Sequence, residues 1–190
     1  MEAILRAIEM SKIKNVVPRV VISNKPNAPG LHKAAKMGIP TKIVSNSSKG
    51  WDYDKEIVYA LKDHMVNQQN GLVCLAGYMR IISPEFIKIF KGRILNVHPS
   101  LLPAFPGLHA QKQALEYGVK VSGCTVHFVD VEVDTGPIIA QRTIEVEDHD
   151  TEETLSIKIL EQEHELYIQC INQFAEGKLS TLGRRVCIIS

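Results

Sequence analysis

Three side chains in this sequence have the types needed to move an acyl group onto an amine. Asn96 and His98 sit at alternate positions in Asn96-Val97-His98-Pro99-Ser100-Leu101-Leu102-Pro103, and Asp134 lies in Val133-Asp134-Thr135-Gly136-Pro137. An imidazole transfers protons, a carboxylate orients and charges it, and an amide N–H donates to a developing oxyanion. On an extended backbone, alternate residues project to one side, so Asn96 and His98 can face one substrate. Spacing alone leaves a second reading open, in which both merely cap a strand and bond to loop backbone. Asp134-Thr135-Gly136 also matches the local run of an aspartic protease. That chemistry needs a second carboxylate from a repeat or a symmetric partner, and the chain holds no second copy. A plain hairpin turn is the other reading of that run.

The elements that must position these groups alternate along the chain. Residues 1–11 have helical spacing, and Val16 to Ser23 reads as a buried strand. A loop rich in turn formers follows to Gly30, then a short helix from Leu31 to Met37 stopped at Gly38, and a strand from Thr41 to Ser45. Asp52 to Gln68 has helical spacing with Ile57, Leu61 and Met65 on one face. Gly71 to Gly77 reads as a buried strand. Pro84 to Phe90 reads as a helix with Ser83 as N-cap and proline at its first position. Arg93 to Val97 is the strand that delivers Asn96, and His109 to Tyr117 the next helix. Val121 to Val129 and Ile138 to Val146 are consecutive strands around the Asp134 turn. A long helix runs from Thr151 to Ala175, with Asp150 as its N-cap and Glu153 completing a capping box. Val186 to Ile189 reads as a last strand. This rhythm predicts an α/β fold: a doubly wound, mostly parallel sheet with helices on both faces and a mixed C-terminal edge. Ligands in such sheets bind beyond the carboxyl ends of the strands, where Gly77-Tyr78-Met79-Arg80 and Asn96-Val97-His98 lie.

At 190 residues with 22 basic and 21 acidic side chains, the chain reads as one domain, residues 1–190. Balanced charge gives no basic stripe for nucleic acid and no polybasic membrane patch. No apolar run approaches the roughly 18–20 residues of a membrane span. The four cysteines are scattered and read as free thiols in a reducing cytoplasm. The seven histidines form no metal-binding spacing. Glu161, Glu163, His164 and Glu165 crowd the long helix, where a solvated face is the default and one of them could reach a pocket.

Taken in order, several segments resemble the folate-dependent phosphoribosylglycinamide formyltransferases of purine (IMP) synthesis. They are Ile22-Ser23-Asn24-Lys25, the run from Leu75 to Pro84, Gly92 to Pro103, Phe105 to His109, Val126 to Val129, Asp134 to Ile139, and Glu163-His164. The resemblance implies transfer of a formyl group from 10-formyltetrahydrofolate to the amine of glycinamide ribonucleotide, with no metal. It implies that His98 is the catalytic histidine, that Asp134 holds it and raises its pKa, and that Asn96 polarises the formyl oxygen. It places Met79, Arg80, Ile81, Ile82, Asn96, Asp130, Val131, Glu132 and Val133 against folate. Gly77, Met79, Pro99 and Glu163 would face the ribonucleotide. The implied partners are small molecules, with neither nucleic acid nor membrane, for a cytoplasmic monomer or homodimer.

One departure stands out. The family opens with a strand and a glycine-rich phosphate loop ahead of the first helix, whereas this sequence opens at the residues that match that helix. The expectation is a domain N-terminally truncated relative to the family, with weak ribonucleotide binding and reduced stability. Two relatives share the Asn, His and Asp positions and fit less well. A formyltetrahydrofolate hydrolase carries a further N-terminal domain and a second histidine where Pro99 sits. A methionyl-tRNA formyltransferase adds an RNA-binding domain. A folate-binding relative without turnover is the remaining alternative.

Overall fold

Apolar residues that alternate along a strand serve two cores at once, and the strand leading to Asn96 does this. In the computed structural model, which describes residues 1–45 and 47–189, the chain runs α1 (Glu2–Glu9), β1 (Val21–Ser23), α2 (Pro29–Lys36), β2 (Thr41–Ile43), α3 (Trp51–Asp63), β3 (Val73–Cys74), α4 (Pro84–Ile89), β4 (Ile94–His98) and α5 (Ala110–Tyr117). It continues through β5 (Val121–Phe128), β6 (Ile138–Glu145), α6 (Glu152–Ala175), β7 (Leu179–Leu182) and β8 (Arg185–Ile188). On β4, Leu95 joins the core that α1, β5 and α6 build with Ala7, Val126, Leu155 and Ile159. Its neighbour Ile94 joins the opposite core, with Tyr53 and Ile57 of α3 and Phe86 of α4. Helices therefore cover both faces.

The strands form a six-stranded mixed sheet, ordered β3-β4-β5-β6-β8-β7, and a separate β1-β2 pair. Pairing is parallel at β1–β2, β3–β4 and β6–β8. It is antiparallel from β4 through β5 to β6 and at β7–β8. The α/β class and the mixed C-terminal edge are as the sequence predicts, but the six-stranded sheet is mixed rather than mostly parallel, because β5 and β6 pair antiparallel beside β4.

Two expected strands are much shorter than their apolar runs. Val16 to Ser23 contributes only Val21–Ser23, and Gly71 to Gly77 only Val73–Cys74. Pro18 lacks a backbone donor. Among the described residues each of these strands also pairs on one edge only, so neither run has a second ladder there to extend it. The two open edges border a cavity of about 1100 Å³ whose wall includes Leu5, Ile8, Ile22, Leu72 and Val73.

α3 stops at Asp63, short of the expected Gln68. Met65 turns into the left-handed region at φ 61°, and Asn67 Oδ1 accepts the Gln69 N–H at 2.8 Å, an Asx turn that competes with the helix. The cap of α6 also differs from expectation. Thr151, not Asp150, is the N-cap: its hydroxyl accepts the Thr154 N–H at 3.2 Å, and the Thr154 hydroxyl accepts the Thr151 N–H at 2.9 Å. Asp150 instead accepts the Glu147 N–H and pairs with Lys158, each at 2.9 Å. β7 was not expected. It hairpins onto β8 through Gly183, which adopts φ 59°.

Candidate active site

β4 ends on the two residues that the site needs, and β5 determines what lies beside them. Antiparallel register sets His127 opposite Asn96, and Thr125 opposite His98. Thr125 then ties down the segment after β4. Its hydroxyl donates to the Ser100 carbonyl at 2.7 Å and accepts the Leu102 N–H at 3.0 Å. Gln141 on β6 donates to the Leu102 carbonyl at 2.9 Å, and the Ser100 hydroxyl donates to the Ala104 carbonyl at 2.5 Å. These bonds bring the Phe105 carbonyl within 2.8 Å of His98 Nε2.

Asp134 reaches the same imidazole from the loop between β5 and β6. Its Oδ2 lies 3.2 Å from His98 Nδ1 and accepts the Gly107 N–H at 2.8 Å. The loop can fold back this closely because residue 136 is glycine. A Cβ there would stand 1.8 Å from the Phe128 carbonyl oxygen. Asp134 itself adopts φ 55°, a conformation that aspartate tolerates better than most residues. Both nitrogens of His98 thus face oxygen acceptors, Nε2 the Phe105 carbonyl and Nδ1 the Asp134 carboxylate. The His98 and Asp134 side chains are 5% and 10% exposed, so little water competes for the pair.

Asn96 completes the group. Its Nδ2 lies 3.3 Å from His127 Nε2. Burial lowers the His127 pKa from its ordinary value, opposed by the Phe128 carbonyl and Asp134. His127, Phe105 and Gly107 were not among the expected site residues. The sequence offers Val126-His127-Phe128 as an apolar strand with one polar position. Only the register between β4 and β5 turns that position toward Asn96.

The expected rim residues divide by exposure. Met79 and Ile81 are 77% and 76% exposed, and Asp130, Val131, Glu132 and Val133 are also exposed, on the loop that leads to Asp134. Arg80 stacks over the Tyr53 ring, 3.6 Å from its centroid. Ile82 is different: its side chain is buried in the core beside Phe86, so only its backbone remains for a ligand. Gly77 is exposed at φ 64°, and Pro99 follows His98 directly. Glu163 lies on α6, where burial pushes its carboxyl up to about 7. No hydrogen bond or ion pair among the described residues joins it to Asn96, His98 or Asp134. Nor do the described residues contain a cluster of three His, Cys, Asp or Glu that could hold a metal ion.

An amide donor, a buried imidazole and its carboxylate thus lie at the end of a sheet strand in an α/β fold, the parts that acyl transfer to an amine would use. Comparison with known proteins narrows the class. The family described as formyl transferase matches residues 1–171. Phosphoribosylglycinamide formyltransferase from Escherichia coli is 42% identical over 181 residues, which are 94% of this chain and 83% of that protein. The trifunctional purine biosynthetic protein adenosine-3 of Drosophila pseudoobscura is 46% identical over 84% of this chain. This chain spans only 12% of that longer relative. The crystal structure of glycinamide ribonucleotide transformylase 1 from Symbiobacterium toebii superposes with a TM-score of 0.92 at 46% identity, covering 100% of this chain and 88% of that one. The chain belongs to the formyl transferase family.

Proposed function

We propose that this chain transfers the formyl group of 10-formyltetrahydrofolate to the amine of 5'-phosphoribosylglycinamide, a step of purine (IMP) biosynthesis in the cytoplasm. The observation that carries the reading is the convergence of Asn96, His98 and Asp134, with His98 Nδ1 3.2 Å from Asp134, in a chain 42% identical to phosphoribosylglycinamide formyltransferase. No described helix is long and apolar enough to cross a membrane.

As the amine adds to the formyl carbon, charge collects on the formyl oxygen. Asn96 donates an N–H to that oxygen, and His98 stabilises the same charge. One donor of this kind contributes roughly 10²–10³-fold. A proton must leave the attacking nitrogen and another must reach the departing folate nitrogen. His98 moves them, directly or through a water, with Asp134 holding its ring; such help contributes roughly 10²–10⁴-fold. The exposed Met79, Ile81, Val131 and Val133 offer apolar surface to the flat folate ring, while backbone groups of Arg80, Ile82 and the 130–133 loop offer hydrogen bonds. Gly77, Met79, Pro99 and Glu163 take the ribonucleotide, whose amine suits the Glu163 carboxyl. Release of tetrahydrofolate from 10-formyltetrahydrofolate tests the reading. It should depend on phosphoribosylglycinamide; release at an equal rate without it would point to a hydrolase instead.

A further inference from the structure

Asn96 has two N–H groups on Nδ2 and an acceptor oxygen, and catalysis by donation requires the nitrogen to face the substrate oxygen. Nothing in β4 alone fixes which way the amide turns. The neighbouring strand does. His127 is 1% exposed and sits opposite Asn96. A register shift between Val126 and His127 interrupts the β5–β6 ladder, a bulge of the kind that re-aims a side chain. His127 Nδ1 lies 2.9 Å from the Phe128 backbone oxygen. A carbonyl oxygen only accepts, so Nδ1 carries the proton. In the neutral ring Nε2 is then bare, and it lies 3.3 Å from Asn96 Nδ2. Turning the amide over would set oxygen lone pairs against the Nε2 lone pair.

We propose that His127 is a positioning residue whose bare Nε2 accepts one N–H of Asn96, fixing the amide so that its second N–H is available to the formyl oxygen. The proposal rests on the formyl-transfer reading above. Desolvation of the ring favours the neutral form that the contact needs. The titratable groups that face His127 are Asp134 and His98. Asp134 Oδ1 stands 3.7 Å from Nε2, too far to compete as a hydrogen-bond partner.

Two measurements test this, one independent of turnover. A long-range proton–nitrogen spectrum of the imidazole rings should show His127 protonated on Nδ1 and bare on Nε2. A proton on Nε2 overturns the proposal whatever the activity. In kinetics, His127→Leu should lower kcat by up to the roughly 10²–10³-fold that loss of an oxyanion donor causes, with KM for folate unchanged. His127→Gln, which keeps an acceptor, should recover part of the rate. In an Asn96→Ala background the Leu substitution should cost no more than about twofold, because the group it positions is gone. An equal cost in both backgrounds would mean a merely structural role and overturn the proposal. If the wild-type chain transfers no formyl group, the formyl-transfer reading fails, and the ring spectrum still decides whether His127 accepts from Asn96.

Discussion

Asp134 Oδ2 serves two partners at once: it lies 3.2 Å from His98 Nδ1 and accepts the Gly107 N–H at 2.8 Å. The carboxylate therefore ties the imidazole on β4 to the loop that closes over it. An Asp134→Asn variant keeps the shape and can still accept from Gly107, yet it removes the charge beside His98. We expect kcat to fall by roughly 10²–10⁴-fold, the range of general acid–base help, with KM for folate little changed. Steady-state kinetics beside a thermal melt separates this from unfolding. A wild-type kcat would show that the charge is dispensable.

Glu163 makes stability depend on pH. Burial raises its carboxyl from 4.5 to about 7, so the native state holds that proton more tightly than the unfolded chain does. The stabilisation is fully present below about pH 4.5 and is lost as pH rises through about 7. Tm of the wild type should drop across this window, and Glu163→Gln, which does not titrate, should flatten the drop. Parallel curves for the two proteins would contradict the assignment.

Gly136→Ala should damage the site from outside it. The added Cβ would stand 1.8 Å from the Phe128 carbonyl oxygen, so the loop must move and carry Asp134 with it. We expect a stability loss of about 1–3 kcal/mol, typical of overpacking. The loss of kcat should exceed what the unfolded fraction explains. Unchanged kinetics would mean that the loop absorbs the methyl without moving Asp134.

The interrupted sheet predicts uneven protection of backbone amides. Among the described residues, Val21–Ser23 and Val73–Cys74 each pair on one edge only and border the cavity of about 1100 Å³. Val121–Phe128 is paired on both edges. Hydrogen exchange should be fastest in the first two segments, which open locally, and slowest in the third. Uniform protection would show that the open edges do not weaken the fold.

Much of the site is legible in the sequence because it lies on local patterns. Asn96 and His98 share a face by strand period alone, and the apolar run before them marks the strand. Asp134 is recognisable as a turn carboxylate, but its contact with His98 depends on how the β5–β6 loop folds back at Gly136. His127 escapes a local reading because its role comes from register between β4 and β5. The sequence places the cap of α6 one residue early for a different reason: Asp150 is a good capping residue by type, but it accepts the Glu147 N–H and pairs with Lys158, and Thr151 caps the helix. β7 has mostly exposed residues and no apolar alternation, so only its hairpin with β8 reveals it.

The central claim is that His98, held by Asp134, carries the formyl transfer. The most direct test compares the chain with its His98→Ala variant, measuring tetrahydrofolate release from 10-formyltetrahydrofolate with and without phosphoribosylglycinamide. The account predicts ribonucleotide-dependent release by the chain and a loss of at least roughly 10²-fold in the variant, with folate binding retained. Equal ribonucleotide-dependent rates for the two proteins would contradict it.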